Sequence, residues 1–139
     1  MSRDRSTLEK MKDSGVVGVI RTKSSRRLLR VAEAIKEGGV NCIEVAMTTP
    51  NALSVIKEVS DQLDDVLIGA GTVLDAETAR SAILAGAEYL VSPTTDLDMI
   101  EMAKRYDKVV APGAFTPTEV MKGWQAGADI VKIFPASRL

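Results

Sequence analysis

At 139 residues the chain has the length of one domain (1–139), and 45 % apolar with 27 % charged residues excludes disorder and fibrous repeats. Eighteen Lys and Arg against 19 Asp and Glu leave a net charge of −1, too weak a field to make nucleic acid or an anionic membrane an obligatory partner. No apolar run approaches the ~20 residues that cross a bilayer, so no membrane segment is expected.

Met1–Ser14 is charged and lacks the apolar stretch of a signal peptide, which points to the cytoplasm. Gly15–Arg21 is the first of six short apolar, β-branched segments that read as strands. A helix is predicted next: Ser24 or Ser25 can cap it, Leu28, Ala32 and Ile35 share a face, and Gly38-Gly39 ends it. Strand Cys42–Met47 leads to a second helix opened by Thr49-Pro50, a cap and a first-turn proline, with Leu53, Ile56 and Val59 inward. After strand Val66–Val73, Asp75 starts a third helix with Ala79, Ile83 and Leu84 inward and Gly86 past its end. Strand Tyr89–Pro93 precedes a helix from Asp96 carrying Leu97 and Ile100. Strand Lys108–Pro112 precedes one from Thr116, where Thr116 and Glu119 have capping-box spacing around Pro117. Ile130–Phe134 is the last strand, and Met99, Met102 and Met121 read as packing residues on helix faces.

Near-continuous apolar strands alternating with amphipathic helices predict an α/β fold, a parallel sheet covered by helices. Units of about 23 residues fit an open doubly wound sheet or a (β/α)8 barrel, and eight such units need about 180 residues. The chain is therefore either six-eighths of a barrel or a complete open sheet. In both, chemistry sits at the carboxyl ends of the strands.

The sequence holds no histidine, which removes Ser-His-Asp and Cys-His catalysis and His-ligated zinc. Acid–base work then falls to carboxylates, lysines, tyrosines or water. The single Cys42 cannot form an internal disulfide, and five aromatic residues are too few for a base-stacking platform. Lys132 lies among apolar neighbours in its strand. It is either a strand-end lysine whose stem is buried and whose amine reaches water, or a desolvated nucleophile. Only about 0.04 % of an ordinary lysine is neutral at pH 7, so the second role needs a pocket poor in water. Glu44 is a charge inside Cys42–Met47. It either pairs with a lysine across the sheet or acts as a general acid/base. Gly69-Ala70-Gly71-Thr72 lacks the full dinucleotide fingerprint. Its glycines serve either a tight turn or close approach to a small ligand, with the Thr72 hydroxyl in the site. Arg21 is either a solvated cation or a bidentate carboxylate clamp. A strand-borne Lys and Glu on one rim, without His, is the equipment of Schiff-base chemistry.

Five motifs in order carry a resemblance. They are Glu44-Val45 through Thr49-Pro50, Gly69–Leu74, Val91-Ser92-Pro93, Pro112–Glu119 and Lys132–Pro135. On these, the chain resembles the class I 2-keto-3-deoxy-6-phosphogluconate (KDPG) aldolases, including those that also cleave 4-hydroxy-2-oxoglutarate (KHG). The resemblance implies a TIM (β/α)8 barrel with about six of its eight units present, assembled as a homotrimer. It places Lys132 as the Schiff-base lysine, Glu44 as the acid/base and Thr72 as the pyruvate-binding threonine, with Arg21, Pro93 and Phe134 lining the pocket. Thr48 is also placed among the substrate-binding residues; many members carry an arginine at its position, so here carboxylate binding rests more on Arg21. The glycine-rich loops that hold a substrate phosphate in the family lie beyond Leu139, and the chain reads as a C-terminally truncated aldolase.

The implied reaction is reversible cleavage of a 2-keto acid to pyruvate plus glyceraldehyde 3-phosphate or glyoxylate, with no metal or organic cofactor. A second reading is a catalytically impaired partial barrel acting as a binding or assembly module, because six strands leave two open edges. A phosphosugar epimerase-type barrel would need a metal or a second acid/base pair, and the sequence offers neither.

Overall fold

The computed structural model describes residues 3–138. Five strands form one parallel sheet in chain order: β1 (Gly18–Ile20), β2 (Cys42–Ala46), β3 (Leu67–Gly71), β4 (Tyr89–Val91) and β5 (Val109–Ala111). Two further short strands, β6 (Gly113–Ala114) and β7 (Lys132–Ile133), pair in parallel. Pro112, which has no amide hydrogen to donate, separates β5 from β6. The path is nevertheless continuous, because Lys132 N–H donates to Pro112 O (2.9 Å) and Phe134 N–H to Ala114 O (3.0 Å). The six expected strands thus appear in their expected order, with ladders shorter than the apolar runs, and β6 is a further short strand beyond the expected end of the fifth at Pro112.

Helices α2 (Leu28–Glu37), α3 (Ala52–Gln62), α4 (Ala76–Leu84), α5 (Leu97–Arg105) and α6 (Pro117–Gln125) connect the strands. They pack on the outer sheet face, where Ile43, Val45, Ile68, Ala70, Leu90 and Val110 meet Ala32, Val55, Ile56, Val59, Met99 and Ile100. The opposite, inner face holds a smaller cluster of Cys42, Tyr89, Val91, Val109 and Ala111. Helix α1 (Arg3–Ser14), to which the sequence pattern assigns no element, brings buried Met11 into that cluster. Between Thr7 and Ser14 its only buried residues are Thr7 and Met11, too little apolar repetition to signal a helix.

Three caps form as expected. Asp75 accepts from Thr78 N–H (2.6 Å) and Asp96 from Met99 N–H (2.7 Å), while Thr116 and Glu119 close a capping box around Pro117. Two do not. Helix α2 starts after Arg27 and α3 after Asn51, both left-handed residues without a side-chain cap. The Ser24 hydroxyl instead accepts from Arg26 N–H, and that of Thr49 from Thr22 N–H, tying the loops after β1 and β2 together. Inward positions also differ: Leu53, Leu84, Leu97 and Met121 are exposed. In α3 the buried stripe is Ala52, Val55, Ile56 and Val59, the i, i+3, i+4, i+7 set, one residue out of phase with Leu53.

Candidate active site

Glu44 is central in β2, in register with Val19 of β1 and Gly69 of β3. Alternation along β2 puts it on the inner face with Cys42, while Ile43 and Val45 enter the outer core. It is 5 % exposed. The carboxylate lies against Gly71: a Cβ there would overlap Oε1 and come within 2.7 Å of Cγ. One residue pair lower, a Cβ on Gly69 would overlap the Tyr89 ring, 2.6 Å from Cδ2. The two glycines of the Gly69–Thr72 motif therefore make room for side chains from the strands on either side, Tyr89 from β4 and Glu44 from β2. This is a third role beside the two the sequence leaves open.

Lys132 belongs to the same face. It pairs with Gly113, two residues beyond inner-face Ala111, and alternates with Ile130 of the inner cluster. The side chain is half-buried and its Nζ lies 4.7 Å from the centroid of the Phe134 ring, a cation–π distance. Burial pushes the Glu44 carboxyl above its ordinary value. Lys132 and then Arg21 pull it back more weakly, so both cations lie close enough for their fields to reach it. Among the described residues no direct ion pair joins Glu44 to Lys132. The carboxylate is therefore not in a contact ion pair with Lys132, and their charges act on each other across a gap.

Arg21, just past β1, donates from Nη2 to Thr72 Oγ1 (3.1 Å), just past β3. Thr72 has φ of 56°, a left-handed backbone uncommon for a β-branched residue. Such outliers concentrate at functional sites. Arg21 and Thr72 thus form one polar unit at the rim. Pro93 is half-buried past β4, where a Cβ on Gly113 would overlap its carbonyl, so the loops after β4 and β5 touch backbone to backbone. Thr95 Oγ1 donates to Gly113 O (2.7 Å) and the buried Ser92 hydroxyl accepts from Thr94 N–H, fixing that contact. Phe134 is half-exposed. Thr48 is exposed in the turn after β2 and makes no hydrogen bond among the described residues. The structure thus gathers Glu44, Lys132, Arg21, Thr72 and Phe134 at one mouth, with Pro93 on the same rim, and leaves Thr48 uncommitted. Sequence reasoning gave Tyr89 no role at this site. Among the described residues no cluster of three or more His, Cys, Asp or Glu could hold a metal. No described helix is long and apolar enough to cross a membrane.

The family model "KDPG and KHG aldolase" matches residues 7–139. The chain belongs to the KDPG and KHG aldolase family. It is 33 % identical over 124 residues to the 2-dehydro-3-deoxy-phosphogluconate aldolase of Treponema pallidum, covering 89 % of this chain and 59 % of that protein. With the KHG/KDPG aldolase of Escherichia coli it shares 31 % over 121 residues, 87 % of this chain and 57 % of the relative. The KDPG aldolase of Legionella pneumophila, solved with pyruvate captured as a covalent carbinolamine, superposes with a TM-score of 0.87 at 30 % identity. The match covers 95 % of this chain and 64 % of the other. The chain thus spans less than two thirds of the length of these relatives. Its architecture is that of the TIM-barrel-like aldolases, parallel strands alternating with helices.

Proposed function

We propose that this protein is a class I, Schiff-base-forming aldolase that reversibly cleaves a 4-hydroxy-2-keto acid to pyruvate and an aldehyde. The observation that carries the reading is a buried, charge-coupled Glu44 facing Lys132 across the mouth of the sheet, with the Arg21–Thr72 unit beside them. Lys132 Nζ, deprotonated, adds to the C2 keto carbon, and loss of water gives a protonated imine. The Glu44 carboxylate takes the proton of the C4 hydroxyl. The C3–C4 bond breaks, its electron pair passing into the imine to give an enamine, and the aldehyde leaves. Protonated Glu44 returns its proton to the enamine carbon, and water hydrolyses the imine, freeing pyruvate and Lys132. Arg21, with Thr72, offers guanidinium and hydroxyl donors to the keto-acid carboxylate, and Phe134 and Pro93 supply apolar walls. The substrates of this reading are 2-keto-3-deoxy-6-phosphogluconate, giving glyceraldehyde 3-phosphate, and 4-hydroxy-2-oxoglutarate, giving glyoxylate. Its setting is a homotrimer in the cytoplasm, on an Entner–Doudoroff route of carbohydrate breakdown; the buried free thiol of Cys42 accords with a reducing compartment.

Borohydride reduction with pyruvate, followed by peptide mass mapping, tests this. A stable adduct is expected on Lys132 alone. An adduct on another lysine, or none in a folded sample, overturns the assignment. The open edge of β1 and the exposed Val16, Val19, Ile133 and Phe134 favour a second reading, an impaired barrel serving as an assembly module. A sample that associates cooperatively yet traps no pyruvate would support it.

A further inference from the structure

Tyr89 has no exposed surface, and its hydroxyl finds no hydrogen-bond partner among the described residues. Buried hydroxyls are nearly always bonded, and a phenylalanine would fill the same space without that penalty. The geometry shows where the hydroxyl is aimed. Glu44, Gly69, Tyr89 and Val109 form one row across β2, β3, β4 and β5. The Tyr89 ring lies across Gly69, so it leans from β4 over β3 towards β2, where Glu44 and Cys42 sit on the inner face. Burial first, then the charge of Glu44, then Cys42, hold the phenol firmly protonated, so it is a donor and never a competing base.

We propose that Tyr89 is a positioning residue for Glu44: its buried hydroxyl donates, across one bound water, to the ionised carboxylate and holds it on the side of the sheet that faces Lys132. The inference rests on the acid/base role proposed for Glu44. The charged or titratable groups facing that carboxylate are Lys132 from β7, Arg21 from the end of β1, Tyr89 from β4 and Cys42 from its own strand. Strand β3 contributes glycines, and β5 contributes Val109 and Ala111. Tyr89 is therefore a neutral oxygen donor that can stabilise the ionised form from the floor while the cations act from the mouth.

Tyr89→Phe removes the oxygen and keeps the ring. The Glu44 carboxyl is titrated by carbon-13 NMR in the unliganded chain, assigned by its loss in Glu44→Gln. Its midpoint is expected to rise by about one pH unit in Tyr89→Phe, a tenfold change in proton affinity. The same upward shift is expected in the acid limb of deuterium exchange into the pyruvate methyl group. A side chain that only fills space moves neither. Tyr106→Phe, which removes the surface hydroxyl bonded to Arg80, leaves both unchanged. An unmoved Glu44 midpoint in Tyr89→Phe overturns the proposal whatever the activity. A shifted midpoint in a chain that neither traps pyruvate nor exchanges its protons upholds the coupling and sinks the aldolase reading instead. Should Tyr89→Phe fail to fold, 3-fluorotyrosine in the Tyr106→Phe chain strengthens the donor at Tyr89 alone, and the midpoint must then fall.

Discussion

Replacing Gly71 by alanine probes the site through a single methyl group. The added Cβ would overlap Glu44 Oε1 and lie 2.7 Å from Cγ, where unstrained carbons sit about 3.5–4.0 Å apart. The carboxylate, closer still than Cγ, must therefore retreat by more than about 1 Å. Because the obstacle is the free end of a side chain rather than backbone, the fold absorbs the change at a cost of about 1–2 kcal/mol. The proposed reaction does not absorb it so well. A reacting group misplaced by 1 Å loses about 10²-fold in rate, equivalent to about 2.7 kcal/mol of barrier. Deuterium uptake into the pyruvate methyl group reads this directly, because it requires imine formation and a proton-transferring carboxylate but no second substrate. Exchange is expected to slow about 10²-fold, while borohydride trapping on Lys132 persists and the melting transition stays cooperative. An exchange rate within threefold of the parent, in a folded variant, would refute the claim that Glu44 works from its position over Gly71. Gly69→Ala gives the contrast. There the obstacle is the fully buried Tyr89 ring, so the loss falls on folding, at about 1–3 kcal/mol or more.

Lys132→Met keeps the stem and removes the amine; trapping and exchange should vanish while the circular dichroism spectrum is retained, and residual trapping would reassign the nucleophile. Glu44 has its carboxyl raised by burial above 4.5, so the folded chain holds this proton more tightly than the unfolded chain does. Its contribution to stability is therefore full below the unfolded value and is lost as pH rises through the higher folded one. Glu44→Gln should accordingly melt higher than the parent at pH 7, with the gap closing below about pH 4.5; a gap of equal size at both pH values contradicts the buried-carboxylate account. Thr116→Ala breaks the capping box of α6 and should lower unfolding free energy by about 1 kcal/mol in urea without touching the trapping reaction.

The sequence made the alternation of strands and helices legible, because two-sided burial leaves runs such as Cys42–Met47 and Tyr89–Val91 almost wholly apolar. Glu44 and Lys132 stood out for the same reason, as charges that such runs do not normally tolerate. Caps could be read wherever the capping side chain reaches its own helix, as at Asp75, Asp96 and Thr116. At Thr49 local chemistry was overruled by tertiary demand: its hydroxyl serves the backbone of Thr22, 27 positions away in the chain. Leu53 was misplaced because spacing by threes drifts around a helix, whereas Ala52, Val55, Ile56 and Val59 stay on one stripe. Tyr89 was invisible for another reason. Its significance depends on two glycines of the neighbouring strand, and no local pattern reports what lies across a sheet.

The inner face of the sheet therefore carries a gradient of polarity from one end to the other. At its amino end Met11, Cys42, Val109 and the Tyr89 ring form an apolar floor. At its carboxyl end Arg21, Thr72 and Lys132 meet solvent. Glu44 sits at the boundary, buried enough for desolvation to raise its carboxyl and close enough to two cations for ionisation to stay within reach. A carboxylate placed lower would lose the fields of those cations, and one placed at the rim would lose the burial that raises it. Gly69 and Gly71 set that depth, because a side chain at either position would push Tyr89 or Glu44 out of its place. The acid/base strength of Glu44 is in this sense a property of the strand beside it.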